Sequence, residues 1–119
     1  MENVSNEVKQ ESVKALQSTL RKLENALSQM TRNGANTTLV NKRLQAVQVS
    51  LAVLQKVWEQ VQHSYTPSDL AKARKVITDL LPSVESSYAK SKAGSPQKTL
   101  LERRIKALEL AVQAMGEQE

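Results

Sequence analysis

The chain of 119 residues has no cysteine, no phenylalanine and no long apolar run. Without cysteine it cannot form disulfides, thiolate metal sites or a cysteine nucleophile. No segment approaches the roughly 20 apolar residues that span a bilayer, and the first residues lack the basic start and apolar stretch of a secretion signal. We therefore expect a cytoplasmic protein without a membrane span.

Residues that carry enzymatic chemistry are also scarce. His63 is the only histidine, and its neighbours Ser64 and Tyr65 are too close in sequence to face it as a nucleophile–base pair. The Glu-x-x-His motifs of carboxylate-bridged metal bundles are absent, and the three glycines are isolated rather than gathered in a phosphate-binding loop. We expect no catalytic residues, no metal, no cofactor and no enzymatic activity.

What the chain does contain is apolar residues at steps of three and four, a period typical of amphipathic helices. Thr66, Pro67 and Asp69 form a strong helix start, with a capping threonine, a first-turn proline and a carboxylate that can reach back to the cap. The predicted single domain, residues 1–119, contains helices at approximately 5–32, 37–62, 67–92 and 96–115.

Short connections between these helices favour antiparallel neighbours, so the predicted fold is all-α, an antiparallel up-down-up-down four-helix bundle. Pro82 contradicts the regular pattern, because inside a helix proline removes a hydrogen-bond donor. We predict that the third helix is kinked or broken near Leu81. This feature either curves the helix around the core or opens a groove between the third and fourth helices.

The second half of the chain resembles the first at a displacement of 61 residues. Residues 38–47, TLVNKRLQAV, match residues 99–108, TLLERRIKAL. Apolar residues align with apolar residues, and the basic pair of one segment aligns with the basic pair of the other. Two helices with one apolar period align partly by chance, so duplication and coincidence both stay open. With either origin the pattern predicts two helical hairpins.

Charge is distributed unevenly along a chain of net charge +5. In an up-down bundle, the windows 21–43 and 82–106 bracket one end, and they hold eleven Lys and Arg against three Glu, or +8. Such a basic end could attract an acidic protein or nucleic-acid phosphates. Basic residues also complement the carboxyl ends of helices, so a merely solvated surface is a further alternative.

The second helix carries no charge from Leu44 to Gln55 and has a second apolar stripe that includes Val49 and Val53. Leu110 belongs to a counterpart stripe on the fourth helix. Core packing against two neighbours explains a broad apolar face, and so does burial in a homodimer or against a partner helix. Tyr65, in the connection between the second and third helices, is a further candidate for an exposed contact.

We therefore expect a non-enzymatic adaptor, regulator, or immunity- or chaperone-like protein that binds another protein, one with an acidic surface. The alternative is a nucleic-acid-associated protein that binds the phosphate backbone through the basic end. This is the weaker prediction, because the chain lacks a stacking platform and a short recognition helix. The candidate partner-binding residues are Lys42, Arg43, Arg103, Arg104, Val49, Val53, Leu110 and Tyr65.

Overall fold

The computed structural model describes residues 3–118, which form four α-helices and no strand. The helices are α1 (Asn6–Arg32), α2 (Thr38–Glu59), α3 (Pro67–Lys90) and α4 (Pro96–Gln118). Each helix contacts the next, and further contacts join α1 to α4 and α2 to α4. The predicted all-α four-helix bundle is confirmed.

The helix starts follow from local hydrogen bonding. The Ser5 hydroxyl accepts a hydrogen bond from the Val8 amide at 3.2 Å at the start of α1. At α3, the Asp69 amide donates to the Thr66 hydroxyl at 3.1 Å, and the Thr66 amide donates to the Asp69 carboxylate at 2.9 Å. This reciprocal capping box confirms the predicted start of α3.

The end of α2 differs from the prediction, which extended the helix to residue 62. The helix ends at Glu59, and Gln60 adopts the left-handed conformation with φ of 60°. The Gln60 amide donates to the Lys56 carbonyl at 3.2 Å, and the Val61 amide donates to the Gln55 carbonyl at 3.4 Å. This hydrogen-bond pattern closes a helix that would ordinarily end at a glycine.

The structure narrows the prediction at Pro82 and differs from the predicted end of α4. Pro82 lies inside α3, which runs without interruption from Pro67 to Lys90, so the helix is not broken there. A bend at Pro82 stays a prediction. The fourth helix, predicted to end at residue 115, continues through Gly116 to Gln118. A Cβ at Gly116 would lie 3.0 Å from the Arg74 guanidinium carbon, so the absence of a side chain gives Arg74 room beside α4.

The helices α2 and α4 form the centre of the molecule. Each contacts the other three helices, whereas α1 and α3 do not contact each other in the described part of the chain. The buried apolar side chains of α2 and α4 supply most of the core, with Leu16 from α1 and Ile77 from α3. This central position explains why α2 has no charge from Leu44 to Gln55.

The shape of the molecule indicates that its helices cross at steep angles. Its dimensions are 39 × 37 × 20 Å, whereas four aligned helices of this length would measure about 40 Å along the bundle and about 25 Å across it. α3 and α4 are antiparallel, because Gly116 lies beside Arg74 and Lys98 donates to the Tyr88 carbonyl at 3.2 Å. The complete up-down-up-down order and the origin of the repeat stay predictions.

Candidate partner-binding groove

An open groove of about 620 Å³ lies between the N-terminal half of α2 and α3. We call it the α2–α3 groove. Its lining is apolar along the floor and carries four basic and two acidic side chains. The apolar residues are Leu39, Ala46, Val49, Ala73, Val76 and Leu80, and the charged residues are Lys42, Arg43, Lys72, Lys75, Asp69 and Asp79.

The α2 side of the groove is basic without any compensating carboxylate nearby on the same helix. The first turn of α2 contains no acidic residue, and the only acidic residue in the helix is Glu59, at its last position. Within residues 3–118, Lys42 and Arg43 form neither an ion pair nor a side-chain hydrogen bond. Their charges are therefore available to an acidic group from another molecule.

The α3 side of the groove has a more balanced charge. Asp69 lies near Lys72, and Asp79 is four residues from Lys75 on the same helix. Hydrogen bonds from the Thr66 backbone and side chain lower the pKa of Asp69, so its carboxylate is charged at neutral pH. The four cations and two carboxylates leave the groove with a net charge of +2.

A second groove, of about 640 Å³, lies between the N-terminal half of α1 and α4, and we call it the α1–α4 groove. Its charged lining consists of Glu11, Glu102 and Glu109 with Arg103 and Lys106. The Arg103 guanidinium donates to the Glu11 carboxylate at 2.9 Å, joining the two helices. This groove therefore contains both partners of an ion pair.

Among the positions 61 residues apart that line the two grooves, one pair is basic in both grooves and another pair differs in charge. Arg103 corresponds to Lys42, and Glu11 corresponds to Lys72. The ion pair of the α1–α4 groove is thus replaced by two lysines in the α2–α3 groove. At the position that corresponds to Glu11, the α2–α3 groove therefore has a lysine in place of a carboxylate.

The structure separates the four basic residues that the sequence predicted as partner contacts. Lys42 and Arg43 line the α2–α3 groove, whereas Arg103 is paired with Glu11 in the α1–α4 groove. Arg104 is partly buried, and its Nε has no hydrogen-bond partner among the described residues. Burial lowers the pKa of Arg104 without removing its charge at neutral pH. Of these four residues, only Lys42 and Arg43 face an open apolar surface.

Of the two explanations for the second apolar stripes, core packing holds for the three residues named from them, and partial exposure does not. Val49, Val53 and Leu110 are each no more than 1% exposed, because α2 and α4 are each packed against three helices. Only Val49 reaches the floor of a groove. Leu39, which periodicity did not single out, is 56% exposed in the α2–α3 groove, and Leu100 at the corresponding position is 58% exposed.

Tyr65 is partly buried rather than freely exposed, and it packs against the core. Its amide donates to His63 Nδ1 at 3.2 Å, and the two rings lie 5.6 Å apart. His63 Nε2 lies 3.4 Å from the Gln118 side-chain oxygen. These contacts join the α2–α3 connection to the end of α4, and Tyr65 lines neither groove.

Charges are also less segregated than an aligned bundle predicts. Glu11 and Asp69 lie outside the two basic windows of the sequence, but Glu11 binds Arg103 and Asp69 lines the same groove as Lys42. Steep helix crossing brings the N-terminal halves of α1 and α4 together, and those of α2 and α3.

Comparison of the chain with protein-family models, curated proteins and solved structures finds no match. No helix among residues 3–118 has the combination of length and apolarity that crossing a membrane requires. In the same range, no three His, Asp or Glu side chains are grouped as metal ligands.

Proposed function

We propose that the chain is a non-enzymatic adaptor or regulator in the cytoplasm that binds an acidic partner protein through the α2–α3 groove. The observation that supports this function is the arrangement of Lys42 and Arg43. Both residues line an open apolar groove, and neither is neutralised by an ion pair within residues 3–118. An apolar floor supplies binding free energy, and unpaired cations select an acidic partner.

A protein partner fits this groove better than nucleic acid does. The floor is apolar and would remain unused against a phosphate backbone. A second copy of the chain is a poorer partner as well, because each copy carries a net charge of +5. Nucleic-acid binding and self-association are distinguishable outcomes of the test.

The test is affinity capture of the tagged full chain from native lysate, with and without nuclease. The variant Lys42→Glu/Arg43→Glu is compared with Arg21→Glu/Lys22→Glu, which makes the same charge change on exposed positions of α1 outside both grooves. We expect one stoichiometric partner that survives nuclease and is retained by the α1 control but lost with the groove variant.

Each other outcome contradicts the proposal in a different way. Loss of every captured protein after nuclease would support nucleic-acid binding, and capture of untagged copies alone would support a homodimer. Equal retention by both variants would mean that Lys42 and Arg43 are only solvated surface. Thermal unfolding of both variants serves as a control, since surface substitutions usually change stability by about 0.5 kcal/mol or less.

A further inference from the structure

The length of the α2–α3 groove fits a short helical segment. Its lining runs from Leu39 to Val49 on α2 and from Asp69 to Leu80 on α3. At 1.5 Å per residue these stretches are about 15 and 17 Å long, the length of a helix of about ten or eleven residues. Three turns of such a helix would place apolar side chains along the floor.

A helical occupant also fits the hydrogen bonding of the groove walls. Both walls are α-helices, whose backbone amides and carbonyls are already paired within each helix. An extended peptide would find no strand edge to pair with, and its buried backbone groups would remain unsatisfied. A helix satisfies its own backbone and presents only side chains to the apolar floor.

The α1–α4 groove indicates which charge the occupant carries. There Glu11 from α1 pairs with Arg103 from α4 at 2.9 Å. In the α2–α3 groove the corresponding positions are Lys72 and Lys42, and Arg43 adds a third cation to the lining. A carboxylate from the occupant would complete an ion pair that this groove cannot form from those positions.

We infer that the α2–α3 groove binds an amphipathic helix of about three turns, in which a Glu or Asp beside the apolar stripe pairs with Lys42 and Arg43. This inference rests on the proposed function, because it names the part of the partner that the groove recognises. Leu39 borders the apolar side of the bound helix, and Lys42 and Arg43 border its acidic side.

The experiment selects peptides of about 16 residues, enough for four helical turns, from a random display library on the immobilised full chain. We expect enriched peptides with apolar residues at i, i+3 or i+4, and i+7, and with flanking Glu or Asp. Circular dichroism should detect helix induction when a selected peptide binds. Enrichment of proline-rich, basic or non-helical peptides would overturn the inference.

Matched variants then locate the selected peptide. Leu39→Ser should weaken its binding by about tenfold or more, whereas Leu100→Ser changes an equally exposed leucine outside both grooves and should not. Lys42→Glu/Arg43→Glu should weaken binding to the same extent or more, while Arg21→Glu/Lys22→Glu should have little effect. Equal losses in a groove variant and its control would overturn the inference.

A charge-swapped peptide gives a readout that does not depend on loss of binding. Replacing the peptide carboxylates by Lys should restore binding to Lys42→Glu/Arg43→Glu and weaken binding to the unmodified chain. No restoration would exclude direct pairing between these charges.

The two proposals fail differently. If the lysate partner depends on Lys42 and Arg43 but selected peptides are not helical, the inference fails and the proposed function stands. If capture of the partner is unaffected by the groove variant, the proposed function fails.

Discussion

Asp69 combines a structural role with a place in the candidate site. Its carboxylate accepts a hydrogen bond from the Thr66 amide at the start of α3. The same side chain lines the α2–α3 groove beside Lys72. The hydrogen bonds from Thr66 stabilise the ionised form, which is why the pKa of Asp69 lies below its ordinary value. Protonation would therefore weaken the capping box and make the groove more basic.

The pH dependence of unfolding tests this role of Asp69. Because its pKa is lower in the folded chain, the stabilisation is fully present above the unfolded-state pKa of about 4 and is lost as the pH falls through the folded value. We expect Asp69→Asn to reduce the loss of stability at acidic pH, measured by urea unfolding between neutral and acidic pH. Parallel curves for the two proteins would contradict this account.

The left-handed backbone conformation of Gln60 lowers the stability of the folded chain. Its φ of 60° is unfavourable for a residue with a Cβ, by about 1 kcal/mol, and glycine adopts it without that cost. Because glycine also adds entropy to the unfolded chain, which offsets part of this gain, Gln60→Gly should raise the free energy of unfolding by about 0.5–1 kcal/mol in urea titrations. Gln62→Gly, at an exposed loop position without positive φ, is the control and should bring no gain.

Helix starts were more predictable than helix ends for reasons visible in these residues. Thr66, Pro67 and Asp69 form α3's start through contacts within four residues, so the local sequence was sufficient. The end of α2 has no glycine or proline signal, because Gln60 takes the position that glycine usually occupies. The apolar period alone therefore predicts a helix that continues beyond Glu59.

At the scale of elements, α3 tolerates a proline without being interrupted. Pro82 is exposed and cannot donate to the Thr78 carbonyl, the acceptor four residues earlier. The helix nevertheless runs without interruption from Pro67 to Lys90. An exposed position also lets the proline ring avoid the core.

Replacing this proline should stabilise the protein. Proline inside a helix costs about 3 kcal/mol relative to alanine, part of which is offset by its smaller entropy in the unfolded chain. We expect Pro82→Ala to raise the free energy of unfolding by about 1–3 kcal/mol, with Ser83→Ala as a neighbouring control that gains only a few tenths. A loss of stability would mean that packing of α3 requires a bend at Pro82.

The broad apolar faces of α2 and α4 show what periodicity could not decide. A second stripe beside the first predicts either a helix with many neighbours or an exposed interface, since both bury apolar area. Val49, Val53 and Leu110 are buried because α2 and α4 lie at the centre. Which helices become central depends on contacts between helices, and the period of a single helix does not encode them.

At the scale of the whole molecule, helix crossing determines where the charges meet. The basic pair Lys42–Arg43 was predicted as a contact, but Lys72, Lys75 and Leu39 were not recognised as its neighbours in one groove. Crossing angles follow from how side-chain ridges interlock, and an aligned bundle was the only geometry that connection lengths suggested. The same crossing places Arg103 beside Glu11 and Lys42 in the α2–α3 groove.

The most direct test of the account is hydrogen–deuterium exchange of the full chain with and without its captured partner. If the partner binds the α2–α3 groove, we expect slower exchange in the segments that line it, 39–49 of α2 and 69–80 of α3, with little change around Glu11 and Arg103. Protection confined to the α1–α4 groove, or absent from both segments, would contradict the assignment of the α2–α3 groove as the binding surface.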